Sequence, residues 1–393
     1  MRIAHVITGL RGGGTAAMLG AVLTALKPRK DIETSVIGLL DDEAMGQRIR
    51  DLGIPVVCLN MHPGIPDPRA MWKLVRTLKA FQPDLIQSWL YHPDLMSTLA
   101  SPWVGRPPVV WNIRHATLDP THDSRSTLWT AKLCAWLSRR SPARILVNSQ
   151  SGQKVHADYG YEKSKLVVVP NGFDLERYRP SEAARADMRR KLGLSADAEI
   201  IGMVARFSSL KGHDLFIRAM ELVAAARPQC EFVLCGRDVN AETPKLMEWI
   251  QASRCPEKFH LLGERKDAEQ VHAGLDIEIS ASTSEAFSNS LGEALCCGVP
   301  CVVTDVGDSA QLVGTAGRVV PSQDASAMAN ACLEILNLAP AERESLSRSA
   351  RDRMVKEFEI GAIANRYSEI WAEVIAERGA SSGRPNRVPT IAK

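Results

Sequence analysis

The stretch Ile200-Ile201-Gly202-Met203-Val204-Ala205-Arg206-Phe207-Ser208-Ser209-Leu210-Lys211-Gly212-His213 decides the fold. Its first five residues read as a buried strand, a loop carrying two cations follows, and a helical period sets in after Gly212. The same passage recurs downstream at Phe232 to Cys235, Phe259 to Leu262, Ile277 to Ser280 and Cys301 to Thr304. Upstream it is found at Ile3 to Ile7, Ser35 to Leu40, Leu85 to Ser88, Val109 to Ile113, Ile145 to Asn148 and Leu166 to Val169. Strands alternating with helices make parallel sheets covered on both faces, so the class is α/β. Two doubly wound sheets fit better than one, with a boundary at the turn Pro170-Asn171-Gly172.

The chain has 393 residues, 45% hydrophobic and 24% charged, enough for two ordinary domains and too apolar for a disordered chain. The 48 basic and 45 acidic residues are interleaved and leave a net charge of +3, so no nucleic-acid partner is expected. Nine scattered cysteines without a C-x-x-C pair read as reduced core thiols, not as a zinc or redox centre. With no secretory leader and no apolar run of about 18 residues, a cytoplasmic protein is expected. Phe358, Ile363, Tyr367, Ile370 and Trp371 form an apolar stripe suited to a sheet face, and the tail from Gly379, with Pro385 and Pro389, is expected to be disordered.

Three segments carry chemistry. Gly12-Gly13-Gly14-Thr15 stands between a strand and a helix, where backbone N–H groups can face an anion. It is out of register with G-x-G-x-x-G, so a dinucleotide is disfavoured. Arg206 and Lys211 leave the strand that opens the second domain at the ligand-binding edge of its sheet, where a diphosphate needs cationic donors. In Ser284 to Pro300, Glu285 sits in a turn and Glu293 eight residues on, in a helix ended by Gly298 and Pro300. A helix start near Ser288 to Asn289 would free the N–H groups of Ser290 and Leu291 for an anion. Each segment singly also fits an ordinary turn or helix end.

Taken together, these segments resemble the retaining glycosyltransferases of family four. The resemblance rests on Glu285 with Glu293, the Arg206/Lys211-Gly212 loop, Asn171-Gly172-Phe173-Asp174, Gly12 to Gly14 and Thr304-Asp305-Val306-Gly307. It implies the GT-B fold: two Rossmann-like domains with a cleft between them, residues 1–172 binding the acceptor and 173–358 the nucleotide sugar. A helix over 359–378 would then cross back to the first domain. Arg206 and Lys211 would bind the donor diphosphate, Glu293 the ribose and Glu285 the transferred sugar. His115, in Trp111-Asn112-Ile113-Arg114-His115, looks like the family's cleft histidine, with Arg114 as the competing candidate. Ala286 stands where the family usually has glycine, changing the turn beneath the sugar. Ala16 stands where many members have a glutamate, and removes that contact.

Gln87 to Asp94 and Trp111 to His115 look like the branch that builds capsule, exopolysaccharide or O-antigen units on lipid-linked acceptors. Arg125, Lys132, Arg139, Arg140 and Arg144 surround Trp129, Leu133, Trp136 and Leu137. That pattern suits a helix lying on the cytoplasmic face of the inner membrane, and equally a core-facing helix with solvated cations. The expected activity is retaining transfer of a sugar from a nucleotide-diphosphate donor to a glycan hydroxyl, without cofactor or metal, since no D-x-D occurs. A nucleotide-sugar epimerase and a non-catalytic sugar-binding partner are the competing readings.

Overall fold

The computed structural model describes residues 1–382 except 12, 41–43, 63–66, 116 and 122. Gly12 of the glycine loop and Gly383, Pro385 and Pro389 of the expected tail lie outside the described residues. Two compact units divide the chain: Met1–Gly172 joined by the helix from Ile360, and Phe173–Glu359.

The first unit runs β1 (Arg2–Ile7), α1 (Gly14–Leu26), β2 (Glu33–Gly38), α2 (Ala44–Asp51), β3 (Val56–Cys58), α3 (Pro68–Phe81) and β4 (Leu85–Trp89). It continues through α4 (Tyr91–Ala100), β5 (Val109–Ile113), α5 (Arg125–Ser138), β6 (Arg144–Val147), α6 (Gln150–Asp158) and β7 (Leu166–Val168). Its seven strands lie in the order β3-β2-β1-β4-β5-β6-β7, so the order reverses between β1 and β4. Helices on both faces explain why Ile3, Ala4, Val6 and Ile7 are all buried and do not alternate. On one face α3, α4 and α5 supply Leu74, Leu78, Ala100, Ala131 and Cys134 to a core with Ile86, Trp111 and Ile145.

The second unit begins with α7 (Glu182–Lys191), β8 (Glu199–Val204), α8 (His213–Ala226), β9 (Cys230–Cys235), α9 (Pro244–Ala252), β10 (Phe259–Gly263) and α10 (Ala268–Gly274). There follow β11 (Ile277–Ser280), α11 (Asn289–Cys296), β12 (Cys301–Thr304), α12 (Ser309–Val313), β13 (Gly317–Val320), α13 (Ala325–Leu336) and α14 (Pro340–Glu357). Its parallel sheet has the order β10-β9-β8-β11-β12-β13, with the reversal between β8 and β11. Both sheets therefore have a switch point of the kind at which open α/β sheets bind ligands.

α15 (Ile360–Ser382) returns to the first unit and buries Ile363, Tyr367, Ile370, Trp371 and Val374 in the core with α1 and β1. Fully burying each such side chain contributes roughly 1.5–3 kcal/mol. Two polar ties fix its register: Trp371 Nε1 donates to Gln87 Oε1 at 2.8 Å, and Asn112 Nδ2 donates to the Tyr367 hydroxyl at 2.9 Å. The expectation that order ends at Gly379 is corrected, because the helix runs on through Ser382. A helix already propagated tolerates one glycine, at a cost of about 1 kcal/mol.

Candidate functional site

In the second unit three loops meet at the carboxyl edge of the sheet. The loop after β8 holds Arg206 and Lys211, the loop after β11 holds Glu285, and the turn after β12 holds Asp305 to Asp308. Thr283 N donates to Leu210 O at 2.9 Å, and Thr304 Oγ1 donates to Ser282 O at 2.6 Å. Two glycines let these backbones close on each other. Gly212, at φ +70°, lies where a Cβ would come within 2.1 Å of Ala281 O. Gly307, at φ +56°, would bring one within 1.9 Å of Glu285 O. Any side chain at either position would force the loops apart.

The Lys211 ammonium, mostly buried, is ion-paired with Glu285, whose Oε2 also accepts from Ser282 Oγ at 3.2 Å. The pair expected to divide between diphosphate and sugar is thus one unit, within reach of whatever either residue binds. Arg206 is exposed, and among the described residues its side chain has no hydrogen bond or ion pair. A fixed cation beside a free one is an arrangement suited to an oligoanion.

Glu293 is positioned by residues that sequence reading did not pick out. His272 on α10 is fully buried and stands with Nδ1 2.5 Å from Glu278 Oε2 and Nε2 3.1 Å from Glu293 Oε2. Burial alone would lower its pKa, but the two carboxylates override it and hold the imidazole up to about 10. As an imidazolium it donates from both nitrogens, and the Tyr178 hydroxyl is a second hydrogen-bond partner of Glu293. Ser290 Oγ donates to Glu278, so the Ser290 hydroxyl belongs to this chain. Glu278 comes from β11 and Glu293 from α11, and no local spacing ties either to His272.

The expected anion site at Ser290 and Leu291 needs one correction. Ser288 is the N-cap of α11, and its hydroxyl accepts from Leu291 N at 3.4 Å. A serine at that position meets the third free amide itself, which leaves the Ser290 amide as the open one. Asp276, which with Glu278 makes the nearest approach to a D-x-D pair, accepts from Arg185 at 2.7 Å, Arg189 at 2.6 Å and Ile200 N at 2.7 Å. Among the described residues no cluster of histidine, cysteine and carboxylates is placed to hold a metal ion.

In the first unit Gly13 takes φ +95° before α1, whose first turn has no side-chain cap. Gly14 opens the helix, and Ala16 is buried against the core. His115 follows β5 at the same carboxyl edge, partly exposed, with Nε2 3.0 Å from Asp123 Oδ1. Arg114 loses its claim to the role. It is buried, donates to Asn171 and to the Tyr367 hydroxyl at 3.4 Å, and lies over Trp89. α5 exposes Trp129, Leu133 and Trp136 while burying Ala131, Cys134 and Ala135, so its tryptophans do not serve the core.

Two family models match the chain. "Glycosyltransferase Family 4" covers residues 12–177 and "Glycosyl transferases group 1" covers 198–338. A lipopolysaccharide core biosynthesis mannosyltransferase, LpsB of Rhizobium meliloti, is 26% identical over 78% of this chain and 92% of its own length. An N,N'-diacetylbacillosaminyl-diphospho-undecaprenol alpha-1,3-N-acetylgalactosaminyltransferase of Campylobacter jejuni is 24% identical over 90% of this chain and 94% of its own. The crystal structure of Anabaena HepE with UDP and glucose superposes with a TM-score of 0.81 at 22% identity, covering 95% of this chain and all of that one. Two parallel sheets with switch points, three loops locked around a lysine and a glutamate, and both family models agree: the chain belongs to the family-four glycosyltransferases.

Proposed function

We propose that this glycosyltransferase is retaining and metal-independent, and moves a sugar from a nucleotide-diphosphate donor to a hydroxyl of a lipid-linked glycan in cell-surface polysaccharide synthesis. The observation that carries the reading is the Lys211–Glu285 pair beside the free Arg206 at the switch-point edge of the second sheet. Arg206, Lys211 and the Ser290 amide take the diphosphate, Glu293 the ribose and Glu285 the sugar. Gly13 and Gly14 contribute to donor binding, and His115, whose ring Asp123 holds, contacts the donor sugar.

As the bond from the anomeric carbon to the diphosphate breaks, negative charge grows on the leaving oxygens and the cations stabilise it. The acceptor oxygen bonds to the anomeric carbon on the same face, and its proton passes to a diphosphate oxygen. No protein base is needed for that step. The lipid-linked acceptor is supported by the undecaprenol-diphosphate substrate in the name of the Campylobacter jejuni relative. It puts the enzyme in peripheral contact with the cytoplasmic face of a membrane through α5. No described helix is long and apolar enough to cross one.

Calorimetry with the free nucleotide and with the sugar nucleotide tests the assignments. Glu293→Gln should weaken both ligands about tenfold, since ribose is common to them and a hydrogen bond to a charged group contributes about 1.5–3 kcal/mol. Glu285→Gln should weaken the sugar-bearing donor alone. Equal losses in all four titrations would leave the two roles without support.

Turnover should persist in excess EDTA and gain nothing from magnesium or manganese. Arg206, Lys211 and the α11 terminus supply the positive potential that a bound cation provides elsewhere. A strict metal requirement would remove the diphosphate from these residues.

A further inference from the structure

We infer that the outward face of α3, α4, the short 3-10 turn Ser101–Val104 and α5 is one continuous docking surface for an anionic lipid bilayer. This deepens the α5 contact proposed above and names its partner, but rests on side chains that α5 does not contain. Every strongly exposed tryptophan among the described residues lies here. Trp72 of α3 is 61% exposed, Trp103 of the turn 69%, and Trp129 and Trp136 of α5 72% and 65%. Trp89, Trp111 and Trp371 are buried, and Trp249 packs against the core of the second unit. Leu99 of α4 and Leu133 of α5 add to the same apolar surface.

The charge on this layer has one sign. Lys73, Arg76 and Lys79 of α3 and Arg125 and Lys132 of α5 are exposed, and none of them is in an ion pair. The only carboxylate in the four elements, Asp94, is buried under α4 and accepts from Ser88 Oγ at 2.5 Å. Lysines interleaved with tryptophans, with no acid among them, distinguish this face from a protein interface, whose core is depleted in lysine. Tryptophan at headgroup depth and cations toward anionic lipid are what an interfacial surface requires.

Between the two ridges the surface sinks to a trough of about 560 Å³. Leu95, Met96 and Leu99 of α4, Met71 of α3 and Leu39 and Leu40 after β2 make its lining mostly apolar, and Asp67, whose carboxylate caps α3 by accepting from Arg69 N, is its one acid. An apolar recess flanked by tryptophans and lysines suits the hydrocarbon chain of a lipid in the docked leaflet.

The test uses the full chain and vesicles of equal parts phosphatidylcholine and phosphatidylglycerol, with phosphatidylcholine alone as control. Cosedimentation should show binding to the anionic vesicles that weakens with salt, and brominated lipid should quench the tryptophan fluorescence. Trp72→Ser with Trp103→Ser should lower partitioning about tenfold or more, as should Trp129→Ser with Trp136→Ser. Nucleotide-diphosphate calorimetry should be unchanged in both pairs, so that failure here and failure of the donor site read differently. Wild-type partitioning by the Trp72 and Trp103 pair would confine the contact to α5 and overturn the extended surface. Absence of binding by the unmodified protein would overturn it entirely. Should a tryptophan pair lose its cooperative melt, Lys73→Glu with Arg76→Glu decides, since both side chains are exposed: unchanged partitioning overturns the surface.

Discussion

Arg206→Ala is expected to lower kcat about a hundredfold while leaving the melting temperature where it was. The guanidinium is exposed and has no hydrogen bond or ion pair among the described residues, so folding makes no use of it there. Turnover does, if it meets the departing diphosphate: one charge-assisted donor to a growing oxyanion contributes about 3 kcal/mol, and each 1.36 kcal/mol is tenfold in rate. Lys211→Ala should cost as much in rate. It should also loosen Glu285, which would then keep Ser282 as its remaining partner. Steady-state kinetics and thermal melts on both variants separate the effects. Turnover near that of the unmodified enzyme in both would defeat the diphosphate assignment.

His272→Leu should produce the largest loss of stability. It strands Glu278, fully buried and 2.5 Å from the lost imidazole, without its cation. Removing one partner of a buried pair costs about 3–5 kcal/mol. For a unit of this size that lowers the melting transition by roughly 6–20 °C. Adding Glu278→Leu should restore most of the stability, because an apolar pair can replace a buried ionic one. Nucleotide affinity should not return in full, since Glu293 keeps Tyr178 but still lacks the imidazolium that orients it. The unmodified protein has a matching pH dependence. The folded value of about 10 lies above the ordinary 6.5, so the imidazolium's contribution is complete below about pH 6.5. It is lost as pH rises through 10. Recovery of both stability and affinity in the double variant would reduce His272 to packing.

Much of this was legible in the residues, and the exceptions share a cause. Runs such as Ile3 to Ile7 and Ile277 to Ser280 show themselves because central parallel strands are buried on both faces. β3 and β13 were missed. They are edge strands of three and four residues, with Val57 and Val319 exposed, and carry too little pattern. On α5 the period alone fits either a core or a surface reading, and only the packing of Ala131, Cys134 and Ala135 decides which face turns inward. Lys211 and Glu285 could be nominated separately, but their pairing depends on two backbones closing at Gly212 and Gly307. His272 gave no signal because its partners arrive from a strand and a helix that only the fold brings together. Ser288 did give one: the helix start is expected there, but an N-cap serine also meets the Leu291 amide that the expectation left free.

The first unit is built from the two ends of the chain, and this sets a schedule on the ribosome. At about 5–20 residues per second, synthesis of everything from Phe173 to the end of α15 takes roughly ten to forty seconds. Throughout that interval the sheet of the first unit lacks the helix that supplies Tyr367 and Trp371. The faces of His5, Gln87 and Trp89 meant for it stand open to water. The second unit is complete as soon as Glu359 has emerged, and can fold before α15 does. A nascent chain stalled after Glu359 would therefore carry one finished unit and one with an apolar face still open, which α15 covers when it emerges.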